Sequence, residues 1–129
     1  MQDIFVYDNQ EPSNCEAWKN LPSFFQDYIT AKHENLRNYV YNLFKQVGLI
    51  PFFTSGFRSV AVNKKVGGVS DSMHLYGLAV DFTLQDKFRR FVDKSKYREI
   101  LDSLNHLLSD DYTIIVEKTH YHCQFNRKK

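Results

Sequence analysis

The stretch that most restricts this chain is SDSMHLYGLAVDF, residues 70–82, in which a histidine and an aspartate, His74 and Asp81, are joined through a glycine. From Leu78 to Leu84 the residues alternate, with Leu78, Val80 and Phe82 on one face and Ala79, Asp81 and Thr83 on the other. An aspartate on the face turned away from the apolar packing suits a cleft. One imidazole and one carboxylate, delivered by a turn that enters a strand, make half of a metal site. The other half must come from elsewhere, and the C-terminal stretch offers Glu117, His120 and His122.

Metal sites that do chemistry use three protein ligands of the histidine and carboxylate type and keep one position open. On a strand, residues two apart point the same way, so His120 and His122 share a face while Cys123 points to the other. Glu117 stands three residues before His120, near the expected turn, within reach of a metal-bound water.

A length of 129 residues fits one domain, and 43% hydrophobic with 16% aromatic residues is the composition of a folded globule. Seventeen basic against fifteen acidic residues give a net charge of +2, too balanced for nucleic acid or an anionic membrane to be the main partner. The Arg89-Arg90 pair is flanked by Asp86 and Asp93. No apolar run approaches the roughly 20 residues that span a bilayer. MQDIFVYDNQ lacks a basic and then apolar leader, so no signal peptide is expected and the compartment stays open. Cys15 and Cys123 are the two cysteines, and their pairing is open.

Along the chain, IFVY reads as a short strand, and Trp18, Leu21, Phe24 and Phe25 as an apolar cap over the core. A helix is expected from Thr30, its cap, with Leu36, Val40, Leu43, Phe44 and Val47 as the buried stripe and Gly48 as its end. His33 is expected at the surface. Leu49 to Phe57 reads as a strand and Val60 to Val66 as a short helix, with a turn through Gly67, Gly68, Ser70 and Asp71. Tyr97 to Leu108 reads as a second amphipathic helix buried through Ile100, Leu101, Leu104, Leu107 and Leu108, with His106 at its edge. Tyr112 to Glu117 and Tyr121 to Phe125 form an antiparallel hairpin. The expected fold is α+β: one small domain, residues 1–129, with a central, mostly antiparallel sheet, helices packed on it and zinc in a surface cleft. Residues 1–29 would be an N-terminal extension packing on the core.

SGFRS, then VNKKVGG, then SDSMHLYGLAVDF, with a late HYHCQF, resembles peptidase family M15, the zinc D-Ala-D-Ala carboxypeptidases, in the branch of short bacterial and phage members. The resemblance covers roughly Leu36 to Phe125. It implies one zinc ion held by His74, Asp81 and His122. His120 then takes a catalytic or transition-state-stabilising place, with Glu117 or His120 as the base. In a second register, seen in dipeptidase and endopeptidase relatives, Glu117 precedes a ligand at His120 and His122 is displaced. Arg58 matches the SGYRS arginine and would grip substrate and oppose charge on the tetrahedral intermediate. Ser72 would orient the loop and, with Tyr76, line the substrate cleft, while Gly77 and Ala79 support the site. The implied substrates are peptidoglycan stem peptides, cut as a D-Ala-D-Ala carboxypeptidase or an L-Ala-D-Glu-type endopeptidase would cut them, by a monomer. The alternative is an inert zinc-containing binding module, as in the hedgehog signalling domains that share the resembled fold.

Overall fold

A computed structural model of the chain describes residues 12–69 and 72–126. The expected IFVY strand and the Ser70-Asp71 part of the turn lie outside the described residues. Two helices come first, α1 (Pro12–Lys19) and α2 (Ser23–Lys45). Pro22 stands immediately before α2 at φ −54° and ψ 146°, and its carbonyl accepts from the N–H groups of Phe25 and Gln26. Proline has no N–H to leave orphaned at a helix start, so the helix begins there and not at Thr30. Thr30 lies inside α2, which corrects its expected role as cap.

The earlier start also changes the buried face. Ile29, His33, Leu36, Val40, Leu43 and Phe44 form one stripe at three- and four-residue steps. His33 is therefore 0% exposed, against the expectation of a surface histidine. Val47 lies past the helix and is 42% exposed, so it leaves the expected stripe. Gly48 takes a left-handed φ of 73° as the chain turns out.

Four strands follow: β1 (Ile50–Ser55), β2 (Ala79–Gln85), β3 (Tyr112–Val116) and β4 (Tyr121–Phe125). They form one open antiparallel sheet in the order β1-β2-β4-β3. The short helix α3 (Val60–Lys65) lies between β1 and β2, and α4 (Tyr97–Ser103) between β2 and β3. The fold is α+β, a single small domain with helices packed on the sheet. The second amphipathic helix is shorter than expected. It ends at Ser103 and gives way to a tight turn at Asn105–Leu107, which leaves Leu107 44% exposed while Leu101 and Leu104 stay buried.

Val80, Phe82 and Leu84 of β2 and Tyr121 and Cys123 of β4 pack with Leu36, Val40, Leu43 and Phe44 of α2 in the main core. Tyr97 closes one end: its ring stacks on Tyr121 at 4.4 Å, and its hydroxyl accepts from the Leu84 N–H at 3.0 Å. Cys123 is a free, buried thiol whose pKa burial pushes up to about 12. Trp18, Ile29 and Phe57 make a second, smaller cluster, with Trp18 edge-to-face on Phe57 at 5.4 Å. Because strand residues alternate, Asp81, Thr83, His122 and Gln124 project from the opposite face of the sheet.

Two positions tie α2 to that other face. Gly77 has φ 67°, and a Cβ there would stand 2.3 Å from Ile29 Cγ2. His33 has its pKa lowered to about 3, first by burial and then by the charge of Arg37, against a hydrogen bond with the Gly77 backbone. Gly77→Ala is expected to cost about 2–3 kcal/mol, from left-handed strain plus displacement of Ile29, read as a lower urea midpoint. An unchanged midpoint would contradict this. His33 binds its proton near pH 3 when folded but near 6.5 when unfolded, so its contribution to stability falls as pH drops below 6.5. His33→Gln should therefore gain on the wild type steadily between pH 6.5 and 4, and a constant stability gap across that window would refute it.

Candidate metal centre

The turn that carries His74 is fixed from several sides. Ser72 Oγ accepts from the His74 N–H at 3.2 Å, and Gly77 closes the short 3-10 turn Met73–Tyr76 in the left-handed region. The His74 carbonyl accepts from the Arg58 N–H at 2.9 Å and from the Gly77 N–H at 3.2 Å. Ser72 thus orients the loop. The ring is 2% exposed, and its Nδ1 lies 2.7 Å from the Gly56 carbonyl, which can only accept. Nδ1 therefore carries a proton and Nε2 is turned to Asp81 Oδ1, 3.1 Å away.

Asp81 and His122 are direct partners in the β2–β4 ladder, so they rise side by side from the same face. His122 Nδ1 reaches the same Asp81 Oδ1 at 3.0 Å, and its Nε2 lies 2.9 Å from Gln124 Oε1. Asp81 Oδ2 accepts from Arg58 Nη2 at 3.1 Å, and His120 Nε2 lies 3.6 Å from it. Arg58 also donates through Nε to Ser55 Oγ and through Nη1 to Asn63 Oδ1. Burial alone would raise the Asp81 pKa, but the hydrogen bonds from His122 and His74 and the histidine charges overcome it and hold the carboxyl well below its usual range. Burial opposes charge on His122, yet its bonds to Asp81 and Gln124 leave its pKa raised.

Ligand atoms of His74, Asp81 and His122 all lie within 4.8 Å of one another. Two ring nitrogens converge on one buried carboxylate oxygen, and the outer nitrogen of each ring is held by a backbone carbonyl or an amide oxygen. That donor set, with its second layer of hydrogen bonds, is the chemistry of a divalent-cation site, so the residues fit a zinc ion.

Through His122 the centre borders a cavity of about 350 Å³, lined also by Val69, Ser72, Met73, Ile115, Glu117 and Gln124. Glu117 is brought to this cavity by the β3–β4 turn, where its N–H donates to the His120 carbonyl at 2.8 Å. Tyr76 is placed elsewhere, 56% exposed beside a separate apolar cavity of about 290 Å³ with Phe25, Tyr28 and Phe57. The structure therefore brings His74, Asp81, His122, His120, Arg58, Ser72 and Glu117 to one place and leaves Tyr76 out.

Ser55, Asn63 and Gln124 escaped the sequence reading, and Gly68 was read only as part of a turn. Ser55 and Asn63 hold Arg58, and Asn63 Nδ2 also donates to the Val69 carbonyl at 2.8 Å. Gly68 makes room for that arrangement, because a Cβ there would meet Asn63 Oδ1 at 2.1 Å. Gln124 braces His122 and was findable, since it lies two residues on, along the same strand face.

The family described as Peptidase M15 matches residues 15–124. No curated protein and no solved structure gives a match. Among the described residues, no helix is long and apolar enough to cross a membrane. With a match over most of its length, the chain belongs to the peptidase M15 family, a membership that supports peptidase activity.

Proposed function

We propose that the chain is a zinc-dependent metallopeptidase that hydrolyses peptidoglycan stem peptides. The observation that carries this reading is the convergence of His74, Asp81 and His122, with His122 lining a cavity that Glu117 also lines. Family membership supports the peptidase part, and the resemblance of the SGFRS, VNKKVGG and HLYGLAVD motifs supports the cell-wall substrate.

In this proposal His74 Nε2, an Asp81 oxygen and His122 Nδ1 hold the ion. Bound there, zinc would polarise a carbonyl and lower the pKa of a water ligand towards about 7. The chain's own residues do the rest. Glu117 takes a proton from the attacking water as its oxygen bonds to the peptide carbon, and returns it to the amine nitrogen as the C–N bond breaks. His120, beside Asp81 Oδ2, and Arg58, held by Ser55 and Asn63, oppose the negative charge that gathers on the carbonyl oxygen. Arg58 also anchors Asp81 by its outer oxygen, so its guanidinium serves ligand and substrate together. Ser72 shapes the cavity wall.

Chelation should abolish cleavage of a D-amino-acid stem peptide, and zinc should restore it. His74→Ala and Asp81→Ala should lose both metal and turnover. Zinc binding with no turnover of any such peptide would move the protein to the binding-module alternative. Glu117→Gln should keep the metal and lose about 10²–10⁴-fold in kcat. Of the two late histidines, His122→Ala should empty the site while His120→Ala keeps its zinc; the reverse result would establish the second register.

A further inference from the structure

One side chain on the face of the sheet that carries the metal centre is shared between the centre and the cavity beside it. Gln124 lies two residues past His122 on β4, half-buried, and lines the cavity of about 350 Å³ together with His122 and Glu117. Its amide oxygen lies 2.9 Å from His122 Nε2. Among the described residues, no partner meets its amide nitrogen.

The ring of His122 decides which end of that amide faces which way. His122 Nδ1 is turned to Asp81 Oδ1 at 3.0 Å, the side from which it would hold the ion. An imidazole that ligates through Nδ1 carries its proton on Nε2, which must then donate. The amide oxygen is the group that accepts it, so the two amide N–H donors point away from the ring. The neighbours across the sheet leave them so. Ala79, the β2 partner of Gln124, has only a methyl group, and Thr113, its β3 partner, donates its hydroxyl to Asn126 Oδ1.

The rest of the cavity wall says what those donors meet. Val69, Met73 and Ile115 are apolar, Glu117 as a carboxylate can only accept, and Ser72 Oγ is turned to the His74 N–H. A peptide lying in this cavity brings a carbonyl at every residue, and each carbonyl calls for an N–H donor. We propose that Gln124 has two functions: through Oε1 it holds His122 in the tautomer that ligates by Nδ1, and through Nε2 it donates to a backbone carbonyl of the substrate peptide near the scissile one. The proposal rests on the peptidase reading above. The amide lies one hydrogen bond beyond a ligand ring, and extended peptide advances about 3.3–3.6 Å per residue, so the carbonyl it meets is within about two residues of the scissile bond. Gln124 is thus a positioning residue for the metal ligand and a binding residue for the peptide.

Two measurements on the full chain separate the functions. Zinc affinity is measured by competition with a chromophoric chelator. Gln124→Leu, which lacks the acceptor, should weaken it about 10–100-fold, and Gln124→Glu, which keeps an acceptor, should hold it. Turnover by the zinc-loaded chain is measured on a stem peptide and on analogues in which each neighbouring carbonyl in turn is replaced by a methylene. In the wild type at least one analogue should lose about 3–10-fold in kcat/KM, the size of one hydrogen bond. Gln124→Glu, without the N–H donors, should treat that analogue and the parent peptide alike, its own loss appearing in KM rather than kcat. A glutamine with a merely structural role would leave that comparison as it is in the wild type. Undiminished zinc affinity in Gln124→Leu overturns the hold on His122. An analogue penalty that survives in Gln124→Glu, or no penalty in the wild type, overturns the bond to the peptide. If no peptide is cleaved at all, the peptidase reading fails and the bond to the peptide with it, while the zinc competition still decides the hold on His122.

Discussion

Asp81 is the carboxylate on which the two halves of the molecule meet. One oxygen receives ring nitrogens from a turn, His74, and from a distant strand, His122; the other receives the Arg58 guanidinium. A carboxylate buried this far would be costly without partners, and the partners here hold it ionised. The antiparallel β2–β4 pairing makes the arrangement possible by placing Asp81 directly across from His122. Packing of Val80 and Tyr121 on α2 fixes that register, because a one-residue slip of either strand would turn its site residue into the core and part the pair.

The support behind Asp81 is layered. Arg58 is held by Ser55 and Asn63, Asn63 by the room that Gly68 leaves, and the His74 turn by Ser72 and Gly77. Gly77 in turn lies against Ile29 of α2, so the longest helix braces the turn that presents His74. The expected substrate grip of Arg58 and its observed hold on Asp81 are compatible, since a guanidinium offers five donors in a fixed fork.

Much of this was legible in the sequence, for identifiable reasons. Period-two alternation from Leu78 to Leu84 placed Asp81 away from the core, and the short link between the last two strands gave the hairpin. The α+β class followed from those segments. His33 was misplaced because the helical stripe was begun at Leu36; the proline start at Pro22 extends it back through Ile29. Leu107 was assigned to a helix that stops at Ser103. Asn63 and Ser55 lie only five and three residues from Arg58, but the three meet across the irregular link between β1 and α3, where no periodicity gives a side chain its direction, whereas Gln124 could have been reached from strand periodicity. Tyr76 is the last residue of a tight 3-10 turn, where helix or strand periodicity gives no direction for a side chain.

The central claim is that His74, Asp81 and His122 together hold one divalent cation in reach of Glu117. Anomalous diffraction at the zinc edge from crystals of the zinc-loaded chain tests it most directly. The account expects a single peak bonded to a ring nitrogen of His74, a carboxylate oxygen of Asp81 and a ring nitrogen of His122, at about 2.0–2.2 Å. A peak bonded to His120 in place of His122, or no ordered zinc at Asp81, would contradict it.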